Sequence, residues 1–69
     1  MISYDPLWQT MKEKHITTYA LMNKYGVRKS TIDRFKHGKN VNIFTIERMC
    51  KILDCSICDV VEYIKDEEE

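Results

Sequence analysis

Six basic side chains fall within twelve residues of this chain: Arg28, Lys29, Arg34, Lys36, His37 and Lys39, all inside the stretch YGVRKSTIDRFKHGKN at residues 25–40. A single acid, Asp33, stands among them, and Ser30, Thr31 and Asn40 supply short hydrogen-bonding groups between the cations. This mixture suits a polyanion. Ammonium and guanidinium groups neutralise phosphates, while hydroxyls and amides bond to backbone oxygens or base edges. The same run, taken alone, also describes a solvated basic face. The elements that carry it must decide.

Two other groups of residues invite chemistry. Cys55-Ser56-Ile57-Cys58 is a Cys-x-x-Cys, with Cys50 nearby. A structural zinc site needs four ligands, usually from two such pairs or from two closely spaced histidines. Here His15 and His37 are the only additions, and both are distant in sequence. Cys50 sits on an apolar helical stripe, where a small buried residue is expected. Cys58 is expected to be exposed in a first helical turn. No Ser, Cys or paired carboxylate stands at a persuasive spacing from either histidine. The reading is therefore a non-enzyme with no metal, no cofactor and no small-molecule ligand.

The 69 residues fit one small domain, 1–69, with an acidic end at 66–69. Apolar residues make up 43% and charged residues 32%, enough for one core in a globular chain. No apolar run approaches the ~20 residues that a membrane span requires. No basic leader followed by an apolar stretch opens the chain, and the cysteines number three. Both features lead to an expectation of reduced thiols and a cytoplasmic location. Net charge is zero only in sum. Residues 1–40 hold eight Lys/Arg against three acids, a balance of +5; residues 41–69 hold three against eight, a balance of −5. Such a division between halves points to a polyanion-facing side.

The pattern along the chain predicts an all-α domain of five short helices. Asp5-Pro6 reads as a helix start, with an acid cap and proline at the first helical position. Leu7, Trp8, Met11 and His15 follow at helical spacing. Thr17 or Thr18 can cap a second helix carrying Ala20, Leu21 and Tyr25, which Gly26 ends in a tight corner. A third helix from Lys29 or Ser30 to about His37 has only Ile32 and Phe35 as apolar positions, leaving most of its surface polar and basic. Asn42 can cap a fourth helix with Ile43, Ile46, Met49, Cys50 and Leu53 on one stripe. Ser56 and Asp59 form a capping box for a fifth, with Ile57, Val60, Val61 and Ile64 behind it. The second helix, the glycine corner and the third helix make a helix-turn-helix over about 18–37, whose second helix suits a DNA major groove.

At this point the chain resembles the Xre/Cro-type helix-turn-helix family of bacterial and phage regulators, over roughly residues 5 to 64. The resemblance rests on the Gly26-Val27 corner, Ser30-Thr31-Ile32, Gly38, and the pattern that ends in Leu53-Asp54-Cys55-Ser56. It implies a lambda-repressor-like fold and operator binding as a repressor or activator, commonly as a dimer. It also implies that Thr18 lies where the family contacts phosphate or orients a base contact. Arg28, Lys29, Ser30, Thr31 and Arg34 fall on the recognition helix. Lys39, Asn40 and Asn42 fall in the loop and cap that approach the DNA backbone. Departures are Thr18 for a frequent Gln, Met22 for a small residue, Arg28 for a Ser or Thr cap, and Val41 for a proline.

The resulting expectation is a sequence-specific regulator of double-stranded DNA, with Lys36 among the contacts. A homodimer through the fifth helix, using Val61, Tyr63 and Ile64, is expected. Two rivals stand beside it. One is a protein-interaction module on the same fold, such as an antitoxin or a repressor's partner. The other is a metal or redox protein built on the Cys-x-x-Cys.

Overall fold

The computed structural model describes residues 1–65, so the acidic end at 66–69 lies outside the described residues. In chain order the elements are β1 (Ile2–Ser3), α1 (Asp5–Glu13), α2 (Thr18–Asn23), α3 (Lys29–Lys36), α4 (Ile43–Leu53), a 3-10 turn (Ile57–Asp59) and β2 (Glu62–Tyr63). The helices are short, and each begins and ends for a local reason.

α1 starts one residue earlier than the sequence suggests. Tyr4 is its N-cap, Asp5 opens it, and Pro6 takes the second position, where the missing N–H costs nothing. The Asp5 N–H is met by Ser3 Oγ at 3.1 Å. The helix stops at Glu13, so His15 is not part of its stripe. His15 instead adopts the left-handed conformation (φ 59°) and is exposed, while the Ile16 N–H reaches back to the Met11 carbonyl at 3.0 Å. That is the usual closing bond of a left-handed helix end, with an apolar residue packed behind it. Thr17 caps α2 by accepting from the Ala20 N–H at 3.1 Å. Asn42 Oδ1 caps α4 by accepting from the Phe44 N–H at 2.7 Å.

The fifth helix does not form. The capping box of Ser56 and Asp59 is present, but it opens only the three-residue 3-10 turn. Val60 closes that turn in a right-handed helical conformation, and Glu62–Tyr63 then pairs antiparallel with Ile2–Ser3 in the register Ile2↔Tyr63 and Ser3↔Glu62. Val61, Tyr63 and Ile64 are β-branched or aromatic and fit a pleated ribbon better than a helix. Their partner strand lies at the opposite end of the chain, where a local pattern does not reveal it. Among the described residues the architecture is thus four helices closed by a two-stranded ribbon, still a helical helix-turn-helix fold.

The core is one cluster. Leu7, Leu21, Met49, Leu53 and Val60 are its most deeply buried large side chains, and Met11, Val27, Ile32, Phe35, Ile46 and Tyr4 complete it. Every described helix contributes, and Val60 brings in the segment after the 3-10 turn. Thr10 is buried beside them and donates its hydroxyl to the Asp59 carbonyl at 2.7 Å, joining α1 to that turn. Ile43 departs from expectation. It heads the α4 stripe in sequence but is 59% exposed, because the first turn of α4 projects beyond the core.

Candidate nucleic-acid interface

The corner between α2 and α3 is built by backbone. Gly26 takes φ 72°, a left-handed value that costs an L side chain roughly 1–2 kcal/mol. Val27 then plugs the corner, buried, with its N–H on the Leu21 carbonyl at 2.9 Å. The corner is also held from outside. Arg48 of α4 donates Nη2 to the Tyr25 carbonyl at 2.7 Å, and a methyl built on Gly26 would sit 3.7 Å from that same nitrogen. Arg48 plays no part in the sequence reading. A cation in the middle of α4 gives no sign of its target until the helices are packed.

α3 follows with the form its sequence suggests. Ile32 and Phe35 are buried, while Arg28, Lys29, Ser30, Arg34 and Lys36 are exposed and Thr31 is half-buried. Arg28 is the N-cap but makes no side-chain capping bond, so its guanidinium is left for another partner. Lys29 Nζ lies 3.4 Å from Asp33 Oδ2, an exposed i,i+4 pair of the kind that contributes little and yields readily to a stronger anion. His37 places Nδ1 2.9 Å from the Asp33 carbonyl at the helix end.

Gly38 (φ 66°) then turns the chain into the loop at 39–41. Arg34 donates Nη1 to the Asn40 carbonyl at 3.3 Å, which draws the α3 surface towards this loop. Thr31, Arg34, Asn40, Val41, Asn42 and Thr45 consequently line one shallow hollow of about 390 Å³. Four of these six belong to the expected site, and the hollow unites α3, the loop and the first turn of α4. Thr45 was not anticipated. Its spacing of three from the cap Asn42 puts it on the same side of α4, a signal that was available. Lys39 is exposed beside the hollow, with its carbonyl accepting from the Tyr4 hydroxyl at 2.8 Å. Thr18 stands apart, half-buried as the first residue of α2, while Thr17 does the capping.

The cysteines lie elsewhere. Cys50 and Cys55 are half-buried where α4 ends in the left-handed residue Asp54, and the Cys55 N–H bonds the Cys50 carbonyl at 3.0 Å. Burial pushes the Cys55 thiol above its ordinary pKa, with the neighbouring Cys50 and Asp59 adding to the effect. Cys58 is exposed. Among the described residues, no three His, Cys, Asp or Glu side chains gather as a metal site would require.

A helix-turn-helix corner followed by an exposed basic helix is the frame of one protein class, and the comparison with known families agrees. The chain belongs to the Cro/C1-type helix-turn-helix DNA-binding domain family, whose model matches residues 6–66. Among solved structures it is similar to the transcriptional regulator VanUg in its form II crystal, at 26% identity and a TM-score of 0.82. That match covers 94% of this chain and 87% of VanUg. No curated protein matches the chain. Among the described residues, no helix is long and apolar enough to cross a membrane.

Proposed function

We propose that this protein is a sequence-specific transcriptional regulator, without enzymatic activity, that works in the cytoplasm on double-stranded DNA. One observation carries the reading. Inside a DNA-binding family domain, α3 is held by only two buried side chains and offers Arg28, Lys29, Ser30, Arg34 and Lys36 to solvent on its remaining surface. α3 lies in the major groove. Lys29 and Arg34 reach guanine edges, and Thr31 meets a thymine methyl. Lys36, Lys39, Asn40, Asn42 and Thr18 hold phosphates and fix the orientation. One α3 reads only a few base pairs, so two copies sit on a two-fold operator, joined through the C-terminal segment around Val61, Tyr63 and Ile64. The likeness to a transcriptional regulator supports this reading, with repression as the simplest outcome of occupying an operator.

Salt dependence tests it. If each subunit neutralises about four phosphates, log affinity falls against log salt with a slope of roughly −3 to −4 per subunit. A flat response between low and physiological salt would overturn DNA binding and favour the rival role of a protein-interaction module.

A further inference from the structure

The end of α4 brings two cysteines together that the sequence motif keeps apart. Asp54 takes φ 53°, and the Cys55 N–H then bonds the Cys50 carbonyl at 3.0 Å. This six-to-one bond is the closing bond of a left-handed helix end, and the side chains of its two residues commonly pack together. A direct backbone bond holds two Cα atoms within about 7 Å of each other, and a disulfide spans roughly 4.4–6.8 Å. The two thiols act on each other. Burial pushes the Cys55 thiol up, and Cys50 adds to this through its charge and through a hydrogen bond between the side chains. Asp59 works in the same direction and Lys14 against it. The cysteine that acts on Cys55 is thus Cys50, not Cys58, its partner in the Cys-x-x-Cys.

The pair is packed on one side and open on the other. Cys50 and Cys55 are half-buried against the core cluster. Cys55 also lines a polar cleft of about 450 Å³, where Thr10 and Lys14 come from the α1 side and Asp59 from the 3-10 turn. Lys14 Nζ donates to the Asp54 carbonyl at 3.2 Å, so the residue between the two cysteines is held from across this cleft. A small disulfide in solution can reach a sulfur placed there.

We propose that Cys50 and Cys55 are a redox modification site, closing to a reversible disulfide at the expense of a low-molecular-weight disulfide of the glutathione class. The Cys55 thiolate attacks one sulfur of glutathione disulfide and expels a glutathione thiolate, which takes up a proton. The Cys50 thiolate then attacks the Cys55 sulfur of the mixed disulfide and expels the second glutathione. The two cysteines lose two protons and two electrons, and glutathione disulfide gains them. Because the Cys55 thiol is raised, little thiolate is present at neutral pH and attack is slow. The pair therefore follows the standing thiol–disulfide poise and not a brief burst of oxidant. The bridge closes across Asp54, the joint between α4 and the 3-10 turn, and so fixes the segment that leads to buried Val60 and to β2. Neither cysteine lies in α3.

Mass spectrometry gives the test. A Cys58→Ser chain is equilibrated in glutathione buffers of stepped redox ratio and quenched with acid. It should lose two hydrogens without gaining glutathione, peptide mapping should join Cys50 to Cys55, and dithiothreitol should reverse the change. Glutathione retained on either cysteine, or no reaction at any ratio, would overturn the site. The wild-type chain tests the choice of partner, since a bridge from Cys55 to Cys58 in place of Cys50 refutes the pairing. Repeating the titration in urea tests the part played by the fold. A fold that holds the thiols together should raise the ratio of bridged to reduced chain, at one glutathione poise, by roughly tenfold or more over the unfolded chain. The bridged chain should then keep its helical circular dichroism and melt above the reduced one. A ratio as high in urea as in buffer, or a loss of helical signal on bridging, would show that the helix end must distort to close, and the proposal fails.

Discussion

The ring of Tyr4 meets the ring of Phe35 edge-on, with centroids 4.9 Å apart and planes at 82°. This joins the segment between β1 and α1 to one of the two buried residues that hold α3. Edge-to-face pairs contribute about 0.5–1.5 kcal/mol beyond the area they bury. The Tyr4 hydroxyl extends the link to the Lys39 carbonyl.

Phe35→Ala should therefore cost about 3–5 kcal/mol, the range for a large-to-small change in a packed core. In a domain this small that is a large share of total stability. Tyr4→Phe keeps the ring pair and loses only the hydroxyl bond, for about 1 kcal/mol. Thermal melts of the two variants check the order. An unchanged melting temperature in Phe35→Ala would mean that α3 is not packed as described.

Base reading and phosphate holding separate by mutation. Lys39→Ala should weaken binding to all sequences alike. Lys29→Ala or Arg34→Ala should cost roughly 1–3 kcal/mol and relax preference at particular base pairs. Binding to a selected site and to random duplex, at one salt concentration, gives the comparison. Equal losses on both by all three variants would show that α3 does not read bases.

The two glycines should respond alike to alanine, but their corners are held differently. Both have positive φ, but a Cβ on Gly38 meets nothing within 4 Å, while one on Gly26 meets Arg48 Nη2 at 3.7 Å. That is ordinary contact, so each substitution should cost about 1–2 kcal/mol from the left-handed backbone alone. The difference appears in Arg48→Ala, which removes the bond to Tyr25 and loosens the Gly26 corner without touching Gly38. Amide exchange at Val27 should rise in Arg48→Ala and stay unchanged in Gly38→Ala.

The raised thiol of Cys55 has a signed consequence. The folded state keeps this proton at pH values where the unfolded chain has lost it. Stability from this group is thus full below the ordinary thiol range and falls as pH rises through the folded value. Urea midpoints at neutral and alkaline pH should show a smaller alkaline loss for Cys55→Val than for the wild type. In the same protein, iodoacetamide should modify exposed Cys58 before Cys55.

What the sequence disclosed follows the distance between interacting residues. Thr17 and Asn42 are legible as caps because each bonds a backbone N–H two or three residues ahead. The capping box of Ser56 and Asp59 is local in the same way, yet the helix it promised does not follow, since Glu62 and Tyr63 pair instead with Ile2 and Ser3. Ile43 keeps the helical period and still faces water, because period alone does not locate the end of the core. In the candidate site, the basic composition of α3 is plain from residue types. The hollow shared by Thr31, Arg34, Asn40, Asn42 and Thr45 appears only once Gly38 has turned the chain back.

The pairing of residue 2 with residue 63 also orders events in time. The helices form from neighbours within microseconds, whereas the ribbon must close a loop of nearly the entire domain. During synthesis, Ile2 and Ser3 emerge first and wait for the strand that is made after every helix. The ribbon thus closes only once the four described helices are complete. A chain cut short before Glu62 lacks the strand that Ile2 and Ser3 pair with, so a closed ribbon marks a molecule whose helices have already been made.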